Sequence, residues 1–272
     1  MSTYKGTEGT RPYAGAGWYY AEYRDRVSPE FMALLAEHLG WRRADRVLDL
    51  GAGPGQLSLL VAPLVAEVVA VEPEPDMLAE GERRARALGI ANVTVVAASS
   101  DDLPGLRSSL GRFRTALMGQ SFHWMLEKDR VLQDLSAMID KTDGSVAFVG
   151  DHRVATPEVL RAARETVHEI LEHYLADVPP GPHPRGRHDP FEDILARSPF
   201  PRVERLEHVY EAPVRPTIAA LVGAEYTISH VLTRLGDRRE AFEREVRTEL
   251  GSIDMLGELR ETRCDEALIG RR

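Results

Sequence analysis

From Pro29 the apolar residues fall at helical spacing, with Phe31, Leu34, Leu35, His38 and Leu39 on one face and Gly40 as the stop. Short apolar runs then alternate with helical ones. Arg46–Leu50, Glu67–Glu72, Val93–Ala97, Thr115–Met118 and Ser145–Gly150 read as strands, and Leu57–Leu64, Asp76–Leu88 and Arg130–Ile139 as helices. Strands and helices of this size in alternation predict an α/β class, a doubly wound and mostly parallel sheet joined by right-handed crossovers.

Outside that core the pattern changes. Residues 1–28 are rich in Gly, Tyr and Arg without an apolar period, and read as an irregular arm. Beyond Gly150, Thr156-Pro157-Glu158 starts a helix whose apolar face is Leu160, Ala163, Val167, Ile170, Leu171 and Tyr174. The stretch 179–188 holds four prolines and reads as a loop. Asp237-Arg238-Arg239-Glu240 resembles a capping box, opening a helix that Gly251 closes. Late strands fall near Val203–Tyr210 and Cys264–Ile269, one of them expected to be antiparallel. The predicted layout is an arm at 1–28, a Rossmann-like core at 29–150, a helical cap at 151–200, and strands and helices at 201–272 that complete the core.

Composition narrows the function classes. The chain has 272 residues, 43% hydrophobic and 28% charged, which is an ordinary globular balance. Its net charge of −9 is spread over both halves and disfavours nucleic acid and anionic lipid as partners. Cys264 is the sole cysteine, so no intrachain disulfide can form and the expected location is cytoplasmic. The longest apolar stretch, around Leu59 to Ala66, is too short for a bilayer, and the first six residues lack a signal core. The histidines after residue 150 have no compact ligand spacing, so no metal site is expected.

The chemistry concentrates in Val47-Leu48-Asp49-Leu50-Gly51-Ala52-Gly53-Pro54-Gly55-Gln56, where an acid precedes three glycines at the end of the first strand. Such a turn brings backbone close to a ligand and aims the next helix's N–H groups at it. Gln56 stands where a dinucleotide fold needs its third glycine, and Asp49 would repel a pyrophosphate. An acid there suits a ligand with an ammonium group. Glu72, at the end of the second strand, is spaced to accept both hydroxyls of a ribose. A cationic amino-acid end and an unphosphorylated ribose together point to S-adenosylmethionine, with S-adenosylhomocysteine as product.

On these residues the sequence resembles the class I S-adenosylmethionine-dependent methyltransferases with a type-11 domain, well from Tyr20 to Gly150 and more loosely beyond. The resemblance implies a cofactor set of Tyr20, Arg24, Asp49, Gly51, Gly53, Gly55, Glu72, Pro73, Met77, Ser99, Ser100, Asp101 and Gln120. Tyr20-Ala21-Glu22-Tyr23-Arg24 matches an arm over the cofactor, and Met77 falls where that family packs a side chain on the adenine. Ser99 stands where the family often has an acid; Ser100 backbone and Asp101 carboxylate are the remaining adenine partners, and the same three residues also make a helix cap. Gln120-Ser121-Phe122-His123-Trp124-Met125 matches an element beside the transferable methyl. His123 is then either the catalytic base or a packed histidine, and Tyr13, Phe122 and Trp124 are expected on the substrate.

The expected acceptor is a small molecule enclosed by the aromatic arm and the cap, with a homodimer left open. The segment Lys5 to Ala16 looks like those of actinomycete enzymes that methylate aminoglycoside antibiotics, and the acidity agrees with a cationic acceptor. N-methylation of an amino sugar is the leading expectation. O- or C-methylation of a sugar or polyketide, a non-catalytic cofactor-binding regulator and a nicotinamide-dependent reductase are the alternatives.

Overall fold

The computed structural model describes residues 11–181 and 189–272. The first part of the Lys5–Ala16 segment and of the predicted arm, and most of the proline-rich loop, lie outside the described residues.

The elements run α1 (Gly17–Tyr23), α2 (Pro29–His38), β1 (Arg46–Leu50), α3 (Gln56–Val61), β2 (Glu67–Glu72), α4 (Pro75–Ala87), β3 (Val93–Ala97), α5 (Leu103–Leu110), β4 (Thr115–Gly119), α6 (Lys128–Met138), β5 (Ser145–Ala155), α7 (Glu158–Leu175), α8 (Phe191–Ala196), β6 (Arg202–Val214), α9 (Ile218–Glu225), α10 (Val231–Leu235), α11 (Arg239–Glu249) and β7 (Leu259–Arg271). One seven-stranded sheet has the order β3-β2-β1-β4-β5-β7-β6. The first five strands are parallel, and β7 runs antiparallel to both of its neighbours, β5 and β6, so that β6 points the same way as the first five. The strand order reverses between β1 and β4, and open α/β sheets bind ligands at such a crevice, outside the carboxyl ends of the strands.

Each sheet face has its own core. Leu48, Leu50, Val69, Val71 and Met118 pack with α6 residues Leu132, Leu135 and Met138 on one side. On the other, Val47, Val68, Leu117 and Ala147 meet Phe31, Leu35 and Leu39 of α2 and Leu57 and Val61 of α3. Fully buried parallel strands are apolar on both faces, which is why β1 and β2 read as near-continuous hydrophobic runs.

The structure departs from the sequence reading in five places. The arm contains helix α1, whose buried stripe is Gly17 and Ala21, residues too small to register as an apolar period. A Cβ on Gly17 would lie 2.4 Å from the Asp76 carbonyl oxygen, so this glycine is what lets α1 sit on the start of α4. Helix α5 follows the cap read at Ser99–Asp101, but it had no range of its own among the predicted elements. The one late antiparallel strand is β7, as expected, but β6 and β7 both run well past their predicted limits, β7 along a β5 that continues to Ala155 and β6 along β7. No capping box forms at Asp237; a 3-10 turn over Gly236–Arg238 leads into α11, whose N-cap Arg238 makes no side-chain cap.

The fifth departure concerns the cap. Of residues 151–200, α7 packs with α9, α10 and α11 into a third cluster that includes Leu171, Tyr226, Leu235 and Phe242. Helix α8 instead places Ile194 and Leu195 in the sheet core. The helical lobe therefore joins α7 to residues beyond 200.

Candidate active site

Beyond β1 the chain turns through Gly51, Gly53 and Gly55 at φ of 74°, 55° and 77°, a left-handed region that only glycine enters without strain. The Gly51 and Ala52 amides both donate to the Val71 carbonyl, at 2.8 and 3.1 Å. A Cβ on Gly51 would stand 2.5 Å from the Ser121 Cβ, and Ser121 Oγ donates to the Leu50 carbonyl at 2.6 Å. The loop is thereby pinned to β2 on one side and to the end of β4 on the other. At Gly53 a Cβ would meet no heavy atom within 4 Å, so that glycine borders open space.

Two buried carboxylates flank this loop. Asp49 is 1% exposed; Ser58 Oγ donates to its Oδ2 at 2.6 Å, while its Oδ1 has no hydrogen-bond partner. A buried unpartnered carboxylate oxygen is costly, and a cationic ligand group relieves it. Burial pushes the Asp49 carboxyl up to about 6 against the pull of Ser58. Glu72 accepts the Gly53 amide on Oε2 at 2.9 Å and the Glu74 amide on Oε1 at 3.0 Å, which fixes the carboxylate and leaves each oxygen a further lone pair. Burial, opposed by those amides and assisted by the charges of Glu74 and Asp49, pushes Glu72 up to about 7.

The arm closes the cleft from above. Gln56 Nε2 donates to the carbonyls of Tyr20 and Arg24, at 3.1 and 3.4 Å, and so ties the end of α1 to the start of α3. The Arg24 guanidinium lies 5.6 Å from the centre of the Tyr20 ring. Tyr13 meets Tyr20 and Trp124 edge-on at 5.9 and 5.7 Å, and Arg11 pairs with Glu74 and Asp76. Ser28, the N-cap of α2, donates through its amide and Oγ to buried Asp265, at 2.7 and 2.6 Å, anchoring the arm's far end on β7.

The cleft brings together Tyr20, Arg24, Asp49, Gly51, Gly53 and Gln120 of the expected set. It adds Asp25, Arg26, Gln56, Val149 and Asp151, which the sequence reading missed as site residues. A signal for Asp151 existed, since it is the first residue past the predicted end of a parallel strand. Gln120 holds φ of 51°, a strained value for a non-glycine residue at the mouth of a site. Gly55 serves as the N-cap of α3, and Met77, in the first turn of α4, is 2% exposed.

The remaining expected residues lie off the cleft wall. Ser99 and Asp102 form a capping box around a 3-10 turn, so the capping role of Ser99 is observed, and Asp101 is exposed. Phe122 is 1% exposed and stacks on Phe148 at 4.2 Å, so its ring belongs to the core and offers a substrate no surface. His123 is half-buried on a second 3-10 turn, Phe122–Trp124, its ring 5.6 Å from that of Trp124. Lys128 Nζ donates to the Met125 and His123 carbonyls at 2.7 and 3.4 Å, holding that turn in place. Among the described residues no group of His, Cys, Asp and Glu is arranged to hold a metal, and no helix is long and apolar enough to cross a membrane.

This donor set fits a ligand with an ammonium group and a free ribose: an orphaned carboxylate, a second carboxylate with open lone pairs, and a glycine wall between them. Comparison with known proteins agrees. Residues 47–142 match the family described as "Methyltransferase domain". The chain is 38% identical over 68 residues to a protein-L-isoaspartate O-methyltransferase of Methanoculleus marisnigri, covering 25% of this chain and 31% of that one. It is 28% identical over 154 residues to the Fervidobacterium nodosum protein of the same name, covering 56% and 71%. The chain thus spans about a third of the first relative's length. A solved structure of a candidate type II methyltransferase from Anaeromyxobacter dehalogenans has the same fold, with TM-score 0.57 and 22% identity over 92% of this chain and 98% of that one. Residues 47–142 are thus similar to a methyltransferase domain, and the Rossmann-like sheet that holds them is shared with the solved structure.

Proposed function

We propose that this protein methylates a small cationic molecule, and that the acceptor is a nitrogen of an amino sugar of the aminoglycoside type. The observation that carries the cofactor half of this reading is Asp49 Oδ1, buried and unpartnered on the cleft wall. In this reading Asp49 receives the cofactor's ammonium group, Glu72 its ribose hydroxyls, and Tyr20 and Arg24 its carboxylate. The glycine turn supplies close backbone, and Pro73, Met77 and the segment Ser99 to Asp101 border the adenine. S-adenosylmethionine, when bound, supplies a methyl already activated on a sulfonium, so the chain's task is to position, align and keep water out. The arm does the last of these, with Gln56 as its latch.

The acceptor half rests on charge. Asp25, Asp49 and Asp151 line the cleft, and the chain as a whole is acidic, which suits a polycationic acceptor. His123, on the turn beyond β4, is the base in this reading, and Tyr13 and Trp124 border the acceptor. The test is to incubate the protein with S-adenosylmethionine and a panel of amino sugars, neutral sugars and polyketides, following S-adenosylhomocysteine and the methylated product by mass spectrometry. Product from amino sugars alone is expected. Turnover only with hydroxyl or carbon acceptors overturns the amine assignment, and tight cofactor binding without product from any acceptor favours a regulatory role. His123→Ala is expected to lower turnover while leaving cofactor affinity intact; unchanged turnover makes His123 a packing residue.

A further inference from the structure

At the rim of the cleft, away from Asp49, stands a second carboxylate site that the cofactor reading does not use. The register places Asp49 on β1 opposite Leu117 on β4, and Leu117 opposite Ala147 on β5. Asp151 therefore lies two strands over, about 10 Å across the sheet, and further out along β5. A ligand whose amino-acid end meets Asp49 leaves this rim for whatever accepts the methyl.

The chemistry of the rim is a carboxylate held by one oxygen and turned to the cleft by the other. Arg263 binds Asp151 Oδ2 at 2.5 Å and Asp25 Oδ1 at 3.0 Å, so one guanidinium serves two acids. Asp151 Oδ1 has only a long contact from Gln120 Nε2, at 3.5 Å. The Asp151 side chain is 9% exposed. Behind it, Arg153 pairs with Asp25 and Glu261, and Arg164 with Glu261. Asp265 adds a fourth acid whose hydrogen bonds come from the neutral groups Ser28 and Tyr210. Asp151, Asp25 and Glu261 thus share Arg263, Arg153 and Arg164, while Asp265 beside them takes only neutral donors. Burial and the charges of Asp25 and Asp265 raise the Asp151 carboxyl against the pull of Arg263, as expected of a group short of positive charge. The cations on the cleft wall, Arg24 and Arg26, belong to the arm, and Arg24 is turned onto the Tyr20 ring.

We propose that Asp151, with Gln120 beside it and Arg263 fixing its far oxygen, is the subsite that binds a protonated nitrogen of the acceptor, the nitrogen that takes the methyl being neutral when it attacks. This inference rests on the amine reading above and deepens it. Asp151 selects a primary or secondary amine over a hydroxyl, because an ammonium makes a charge-assisted hydrogen bond to its weakly contacted Oδ1 that a neutral hydroxyl cannot match. The same cleft already presents one buried oxygen that lacks a partner, Asp49 Oδ1, so both of its ends favour positive charge.

The test is calorimetry with kanamycin A as amine probe and raffinose as neutral control, each titrated into the protein saturated with S-adenosylhomocysteine. The wild type is expected to bind kanamycin and not raffinose. Asp151→Asn should weaken kanamycin binding by about tenfold or more while S-adenosylhomocysteine affinity holds, as for a lost charge-assisted hydrogen bond. Gln120→Glu, which adds a carboxylate at the same rim, should tighten it, and decides the matter if Asp151→Asn fails to fold. Kanamycin bound equally well by wild type and both variants overturns the subsite but leaves the amine reading standing. A wild type that binds S-adenosylhomocysteine but not kanamycin overturns the amine reading and this inference with it.

Discussion

The cleft at the β1–β4 crevice and the helical lobe of α7, α9, α10 and α11 follow different rules. The lobe is held chiefly by an apolar stripe: Leu160, Val167 and Leu171 of α7 pack against Tyr226, Leu235, Phe242 and Val246, with polar contacts such as Tyr226 to Glu243 at 2.8 Å and Tyr174 to Glu245 at 2.9 Å around it. The cleft is held by strained backbone and underpartnered carboxylates, with three left-handed glycines, a non-glycine at positive φ and an orphaned oxygen within one crevice. The first arrangement draws its stability chiefly from apolar burial, although His230 at the start of α10 also holds a positive φ of 65°. The second gives up some stability to keep groups ready for a ligand.

The sharpest way to break that comparison is to damage each region and measure both stability and binding. Phe242→Ala removes a fully buried ring from the lobe and should cost about 3–5 kcal/mol in denaturant unfolding, with S-adenosylhomocysteine affinity unchanged in the fraction that remains folded. A large loss of affinity would mean that the lobe shapes the cofactor cleft. Gly51→Ala should show the converse: about 1–3 kcal/mol of strain from the left-handed backbone, further strain against Ser121, and a fall in cofactor affinity out of proportion to the stability lost. Normal affinity in that variant would remove the glycine turn from the binding account.

Acid–base behaviour sharpens the same contrast. The carboxyls of Asp49 and Glu72 are raised by burial to about 6 and about 7, so the ligand-free fold favours their protonated forms. That contribution to stability is fully present below their ordinary carboxylate range and is lost as pH rises through about 6 to 7. Cofactor binding needs the ionised forms and should run the other way, strengthening as pH rises through the same window with release of protons. Titrations in buffers of different ionisation enthalpy read this directly, and an affinity flat across the window would contradict it. The smallest effect is expected at the latch. Gln56→Ala loses two hydrogen bonds to the arm, about 0.5–1.5 kcal/mol each, and should speed S-adenosylhomocysteine release in stopped flow.

The two regions also differed in how plainly the chain announced them. The strands β1 to β5, Asp49 and Glu72 were readable because burial on both faces makes parallel strands continuous apolar runs, and because the glycine spacing ties an acid to a turn. Helix α1 was not, since it packs by Gly17 and Ala21 and the side chains around it are aromatic. The lobe was read as residues 151–200 because α7 carries a clear apolar face, but that face is covered by helices far along the chain, and no local pattern says which. Asp151 escaped for a related reason: its partner Arg263 lies 112 positions away, and the β5–β7 ladder brings the two together.

The central claim is that a crevice guarded by Asp49 and Glu72 selects a cationic, phosphate-free nucleoside. Calorimetric titration of the wild type and of Glu72→Gln with S-adenosylhomocysteine and with NADH tests it most directly. The account predicts that S-adenosylhomocysteine binds, that Glu72→Gln weakens it by about 1–3 kcal/mol, and that NADH gives no binding heat. Binding of NADH, or S-adenosylhomocysteine affinity indifferent to Glu72→Gln, would contradict it.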